Sequence, residues 1–292
     1  MSILLQSPYV ETNGTWLRGN LHAHSTLSDG VLPPEEVVAT YERLGYDFLA
    51  LSDHDLVAPV AALQAATEMT LLTGNEITAN GPHLLHVGAR ERVAPEADRQ
   101  AVIDAVCESG GFAVLNHPNW GEDFDHFPFR YLASLEGYVG VETYNGIIEV
   151  LPGSPFSLDK WDRLLSTGRR VWAFANDDFH APPHAARGWN MVQAADRSAE
   201  AILAALQTGR FYCSTGVRLA EIEVTDTDLR VAAEGAAHIR FIGKWGRELA
   251  LVEGNEATYR VLGNEGGYVR AEVHGEGYRA AWTQPVWLEQ AG

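Results

Sequence analysis

The stretch GNLHAHSTLSDG, residues 19–30, places His22 and His24 two apart and Asp29 five residues after the second histidine. It closes an apolar run, Trp16–His22, that reads as a β-strand. In a strand, residues two apart project from one face at a spacing of about 6.5 Å, so His22 and His24 point into the same space. With 11 histidines in 292 residues, such a pair arises by chance often enough to decide nothing alone. The rest of the chain has to supply partners for it.

Working outward, short apolar runs alternate with amphipathic segments up to about residue 215. Strands are expected at Trp16–His22, Phe48–Leu51, Leu71–Ile77, Leu84–Gly88, Ala113–Leu115, Val139–Thr143, Val171–Ala175 and Asn190–Ala194. Helices are expected between them. One opens at Pro33-Pro34-Glu35-Glu36, carries Val37, Val38, Tyr41 and Leu44 as its apolar stripe, and stops at Gly45. Others are Glu96–Glu108, Leu158–Ser166 and Ser198–Gln207. This alternation predicts an α/β fold with a largely parallel sheet or barrel. After about Gly216 the pattern changes to short alternating runs separated by turn signals such as Asp226-Thr227-Asp228 and Gly266-Gly267. The reading is therefore an α/β unit over residues 1–216 and a small antiparallel β segment over 217–292.

Metal-type residues recur at the ends of the expected strands. The second strand runs into SDHD, with Asp53, His54 and Asp55, and the third carries Glu76. His83 and His86 flank and enter the next. LNHPNW supplies His117, VETYNG supplies Glu142 and Asn145, and ANDDFH supplies Asp177, Asp178 and His180. Strand ends converge on one mouth in parallel barrels, so this order predicts a shared metal centre. Imidazole and carboxylate donors without thiolate suit Zn, Mn or Fe better than Mg or Ca. His126, His184, His238 and His274 are read as ordinary hydrogen-bonded residues.

Composition narrows the remaining choices. An apolar fraction of 46% and a charged fraction of 21% are those of a soluble globular chain. No apolar run is long enough to span a membrane, and the N-terminus lacks the pattern of a secretory signal. Without such a signal the Asn13-Gly14-Thr15 tripeptide carries no weight as a glycosylation site. Two cysteines, Cys107 and Cys213, outside any CxxC arrangement fit a reducing compartment, so a cytoplasmic location is expected. A net charge of −18 repels polyanions at long range and argues against tracking along nucleic acid. It leaves room for a small anionic substrate, because bound divalent cations reverse the sign locally. Oligomeric state has no sequence signal.

Residues 18–55, RGNLHAHSTLSDG…GYDFLALSDHD, resemble the opening of the PHP (polymerase and histidinol phosphatase) metallohydrolase family. GNEITANGPHLLHVGA, LNHPNW, ANDDFH and LQTGRFYCSTG continue the resemblance to about residue 216. The closing GRFYCSTG and the β segment after it resemble the subgroup that includes carbaryl-hydrolase-like proteins. The resemblance implies a distorted (β/α)7 barrel of the PHP type that holds two or three divalent ions. By position it implies His22, His24, Glu76 and Asp178 at the first ion. Glu76 bridges to a second, completed by His117 and by either His83 or His86, with His83 favoured by its spacing from the glutamate. Asp29, His54 and His180 are implied at a third.

Neighbouring divalent ions acidify a shared water and neutralise charge that develops on the attacked group. Three such ions outweigh the charges of Asp29, Glu76 and Asp178, which favours an anionic ester. The expectation is a metal-dependent phosphoesterase acting on a small phosphate ester or short nucleotide. The alternatives are a hydrolase of carbamates, amides or carboxylic esters by the same chemistry, and a noncatalytic binding domain. Asp53, Asp55 and Asp177 are candidates for a leaving-group acid or for orienting the imidazoles. Arg187 and Lys160 are candidate phosphate clamps. Asn145, with Trp120 and Trp189, is a candidate for the pocket wall, although simple packing suits the two tryptophans better.

Overall fold

The computed structural model describes residues 3–9 and 15–290; Asn13 and Gly14 lie outside them. The chain opens with β1 (Ile3–Gln6) and β2 (Thr15–Asn20), then α1 (Pro34–Arg43), β3 (Phe48–Leu51), α2 (Val60–Leu63), β4 (Thr70–Ile77) and β5 (Leu84–Val87). There follow α3 (Arg99–Ser109), β6 (Phe112–Leu115), α4 (Phe129–Ser134), β7 (Gly140–Asn145), α5 (Leu158–Ser166), β8 (Trp172–Asn176), β9 (Trp189–Ala194), α6 (Ala199–Gln207) and β10 (Phe211–Ser214).

Strands β2 to β8 are laid side by side in chain order. The ring closes past the end of β2, where Ala23 pairs in parallel with Phe179 and His24 N–H donates to the Phe179 carbonyl at 2.8 Å. Between β8 and β9 the join is made by side chains: the amide of Asn190 bonds both the N–H and the carbonyl of Ala175. Every residue of β3, β5 and β6 is buried, as expected for strands covered on both faces. The result is a mixed α/β barrel. The expectation of a largely parallel sheet fails at β9, which runs antiparallel to β2, and at β5, which runs antiparallel to both β4 and β6. Six residues separate Ile77 from Leu84, too few for the crossover that a parallel pair requires.

The helices follow their local signals. α1 begins at Pro34 with Glu35 and Glu36 in its first turn and buries Val37, Val38 and Tyr41. Leu44, expected in that stripe, instead ends the helix and is 40% exposed. α3 is capped by Asp98 and α6 by Ser198, each accepting a backbone N–H of the first turn. Among the described residues no helix is long and apolar enough to cross a membrane.

The C-terminal segment contains β11 (Arg218–Val224), β12 (Asp228–Glu234), β13 (Ala236–Gly243), β14 (Arg247–Glu253), β15 (Glu256–Arg260), β16 (Tyr268–Gly275), β17 (Ala280–Thr283) and β18 (Val286–Gln290). β11, β12 and β15 form a separate antiparallel sheet. The others extend the barrel sheet, because β10 pairs with β9 on one side and β17 on the other. Leu229, Val231, Ile239, Phe241 and Val273 fill the space between the two sheets. β1 pairs with β18, so the N-terminal strand sits with the C-terminal strands. A buried ion pair ties this part to the barrel. Arg270 donates to both carboxylate oxygens of Asp162 on α5, at 2.9 and 2.7 Å, and to Glu272 at 2.8 Å.

Candidate metal centre

The ends of β2, β3, β4, β6 and β8 meet at one mouth of the barrel, and Glu76 stands at its middle. Its Oε1 lies 3.3 Å from His22 Nε2, 3.2 Å from His83 Nδ1 and 3.2 Å from His117 Nε2. Its Oε2 lies 3.0 Å from His54 Nδ1 and 3.6 Å from His24 Nε2. Asp178 is the second hub: Oδ1 is 3.3 Å from His22 Nε2 and 3.1 Å from His24 Nε2. Asp29 closes the outer side, 3.4 Å from His54 Nε2 and 3.3 Å from His180 Nε2.

Local backbone explains how these side chains are aimed. The Ala23–Phe179 bridge keeps His22 and His24 on the barrel face opposite Ala23. His117 and Asp178 have φ of 29° and 53°, in a region costly for residues other than glycine. Gly30 follows Asp29 and cannot be replaced cheaply, because a Cβ there would stand 2.5 Å from the His24 carbonyl oxygen. The tight turn it permits folds Asp29 back over His24.

Burial raises the cost of leaving these groups without partners. Burial alone would raise Glu76, but the imidazoles of His22, His83 and His117 hold it well below its ordinary range. Asp178 is likewise pulled down, against burial, by His22 and His24. Burial lowers His24, and the carboxylates around it recover only part of the loss. His54 is depressed by burial yet driven up to about 9 by Glu76 and Asp29.

This donor set fits divalent cations. His22 Nε2, both ring nitrogens of His24, His54 Nδ1, His117 Nδ1 and Asp178 Oδ1 are buried and have no hydrogen-bond partner among the described residues. A folded protein rarely tolerates so many orphaned polar atoms together unless something else occupies the space between them. Four sets have one donor atom apiece within 4.8 Å of each other: His24 with Asp29, His54 and His180; His83 with His117 and His126; His22 with His24 and Glu76; and His22 with His117 and Asp178.

His83, one of two residues left open by sequence, faces the centre. His86 does not: its Nε2 is 3.0 Å from the Gly110 carbonyl oxygen, away from the cluster. A residue three further along β5 lies on the other face. His126, read as an ordinary histidine, lies in the cluster. Its Nε2 accepts the His83 N–H at 2.9 Å, and burial with the neighbouring imidazoles lowers it to about 2.

The three aspartates considered as acids are engaged with backbone N–H groups and side-chain hydroxyls. Asp53 accepts the N–H and hydroxyl of Ser25 and of Ser28, holding the loop that carries Asp29. Asp55 accepts from Thr78 and Ala79. Asp177 accepts the N–H groups of Ala186, Arg187 and Gly188 and the Tyr41 hydroxyl. Burial pushes it up to about 6 against those bonds. None of the three orients an imidazole. Glu142 does, with Oε1 2.8 Å from His22 Nδ1 and further bonds from Asn145, Asn176 and the His117 N–H. Glu142 is among the strand-end carboxylates seen in sequence but has no assigned role there, although a carboxylate inside a wholly buried strand is a signal in itself.

The remaining candidates also move. Asn145 is no wall residue; its amide bridges Glu142 and Asp178 at 2.9 and 3.1 Å. Lys160 is buried, donating to the carbonyls of Pro118, Phe124 and Phe127 and to Asp125, which excludes it as a phosphate clamp. Arg187 pairs with Glu149 at 3.0 Å and lies in a neighbouring groove. Trp189 sits under Arg18 on the outside, 3.8 Å from ring centroid to guanidinium, while Trp120 packs against His83 and His117.

The centre opens into a cavity of about 270 Å³. Its floor is the histidine and carboxylate cluster, and its outer wall is Trp120, Ile147, Ile148 and Leu151. No arginine or lysine lines it among the described residues.

No family model matches the chain. A 64-residue stretch is 44% identical to a 5'-3' exoribonuclease of Haemophilus influenzae, covering 21% of this chain and 23% of that protein. The match thus spans less than a quarter of the curated relative. A solved amidohydrolase from Chromobacterium violaceum with bound sulfate is 19% identical over 56% of this chain and 88% of its own, at a TM-score of 0.43. A two-domain protein from Bacteroides vulgatus containing a predicted PHP-like metal-dependent phosphoesterase aligns with 100% of this chain and 92% of its own, at 16% identity and a TM-score of 0.59. The chain has the fold of that two-domain protein over its full length, with the barrel and the added antiparallel strands both matched.

Proposed function

We propose that this chain is a metal-dependent hydrolase of small phosphate esters. The observation that carries the reading is the Glu76 hub, a buried carboxylate within 3.6 Å of five imidazoles, five of whose ring nitrogens are buried without a hydrogen-bond partner among the described residues. The residues that would hold cations are His22, His24, Glu76 and Asp178, then Glu76 with His83 and His117, then Asp29, His54 and His180. Bound divalent ions supply Lewis acidity and lower the pKa of water toward neutrality. The chain's own residues do the rest. Glu142 and Asn145 fix His22 and Asp178 in place, and Asp53 holds the Asp29 loop across the mouth.

A phosphate ester suits the pocket's electrostatics. Among the described residues the lining carries three carboxylates and four imidazoles but no arginine or lysine, so the charge that draws in an anionic ester would come from cations outweighing those carboxylates. The named chemistry of the exoribonuclease relative and of the Bacteroides protein supports phosphate over an acyl group. The test compares p-nitrophenyl phosphate with 1-naphthyl N-methylcarbamate on protein loaded with Zn, Mn or Fe. Phosphate release that a chelator abolishes, with the carbamate untouched, is the expected result. Carbamate cleavage with no phosphate release overturns the phosphate reading in favour of acyl chemistry. Weak metal binding with neither turnover leaves a binding domain.

A further inference from the structure

Beside the metal pocket runs a groove of about 640 Å³ that shares Ile148 and Leu151 with it. Its far bank belongs to the C-terminal part of the chain: Tyr278 and Arg279, on the turn between β16 and β17. Tyr278 is 94% exposed, an unusual state for an aromatic ring with nothing packed on it. Arg279 is exposed and has no carboxylate within ion-pair distance among the described residues, in a chain of net charge −18. Its aliphatic stem lies over Gly216, where a Cβ would come within 2.7 Å of it. The other cation of the groove, Arg187, is already neutralised by Glu149, whose second oxygen accepts the Tyr144 hydroxyl at 2.7 Å.

We infer that this groove is a distal substrate subsite, in which Arg279 binds a second anionic group and Tyr278 covers the part of the substrate leading to it. The inference rests on the phosphoesterase reading and extends it. The metal pocket holds the ester that is cut, the apolar ridge of Ile148 and Leu151 carries the middle of the molecule, and the β16–β17 turn reads its far end. The preferred substrate is then an elongated phosphate ester bearing a further phosphate or carboxylate. The antiparallel strands thereby acquire a role in specificity, because they carry the turn to the mouth of the barrel.

The test uses the full-length, metal-loaded protein and α,ω-alkanediol bisphosphates of three to ten methylenes, each against the alkyl monophosphate of equal length. KM from phosphate release and Kd from calorimetry are both read. At the best-matched spacer the bisphosphate is expected to bind at least about ten-fold tighter, the size of one charge-assisted contact. Arg279→Ala should bring the ratio within about two-fold, and Arg279→Lys should keep most of it. Arg218→Ala, which removes an exposed arginine outside the groove, should leave it unchanged. An ω-carboxyalkyl phosphate arm separates phosphate from carboxylate as the distal group. Equal binding of both ligand series at every length, or a ratio that survives Arg279→Ala, overturns the subsite. Absence of turnover with a preserved calorimetric ratio overturns the phosphoesterase reading and not the subsite.

Discussion

His22 Nδ1 lies 2.8 Å from Glu142 Oε1, and both side chains are fully buried. A carboxylate at Nδ1 holds the proton there and leaves the Nε2 lone pair facing Glu76 and Asp178. Nearby carboxylates, Asp178 foremost, also raise His22 well above its ordinary value against the effect of burial. A cation would take the place of that proton. Glu142→Gln should therefore weaken metal affinity by about ten- to a hundred-fold while the fold persists. Competitive titration with a chromophoric chelator, alongside circular dichroism, checks it; unchanged affinity would remove Glu142 from the centre.

Asp29→Ala deletes a donor from the outer set and should lower activity by at least about a hundred-fold through loss of one ion. Gly30→Ala deletes no donor but sets a Cβ 2.5 Å from the His24 carbonyl oxygen. It should reproduce most of the Asp29→Ala loss in activity and in metal content by elemental analysis. Normal metal content in Gly30→Ala would show that the turn does not position Asp29.

Lys160 serves the fold. Its ammonium satisfies three carbonyls and Asp125, so Lys160→Met leaves several acceptors without a donor. The cost should be about 3 kcal/mol in urea unfolding. KM for p-nitrophenyl phosphate should change little in protein that remains folded. A large KM rise without loss of stability would restore Lys160 as a substrate contact.

Glu272 gives the joint between barrel and C-terminal strands its acid sensitivity. Burial alone would raise its carboxyl, but Arg270 brings it down to about 2 from the ordinary 4.5. A depressed carboxyl stabilises the fold above its unfolded value, so the contribution is complete above pH 4.5 and lost as pH falls toward 2. Its size is bounded at about 3 kcal/mol. Metal-free wild type should lose stability across that interval more steeply than Glu272→Gln, as read by denaturant unfolding at several pH values. Parallel curves would refute the assignment.

Much of the site is legible because metal-type residues sit at strand ends, where topology converges them. Helix α5 is expected and observed at Leu158–Ser166, from its own local pattern. The failures have physical causes. An aspartate beside a strand end looks alike in sequence whether it faces a cavity or caps backbone amides, so only the family resemblance set Asp29 and Asp178 apart as ligands, and nothing local showed that Asp53, Asp55 and Asp177 are tied up in loop hydrogen bonds. Lys160 carries no mark of the carbonyl cage around it, since loop carbonyls leave no sequence trace. His126 is far from the strand ends in sequence and reaches the cluster only because the loop after β6 folds back, with its own N–H donating to the Trp120 carbonyl. The pairing of β1 with β18 joins opposite ends of the chain, beyond the reach of any local signal.

If Glu76 joins neighbouring cations in one buried cage, its removal must cost metal as well as activity. Wild type and Glu76→Ala, each loaded with Zn, Mn or Fe and dialysed, are to be compared by elemental analysis. Wild type should retain at least two tightly held equivalents per chain, and a folded Glu76→Ala should lose at least one of them. Equal metal content in the two proteins, or less than one equivalent in wild type under every metal, would show that Glu76 joins no cations.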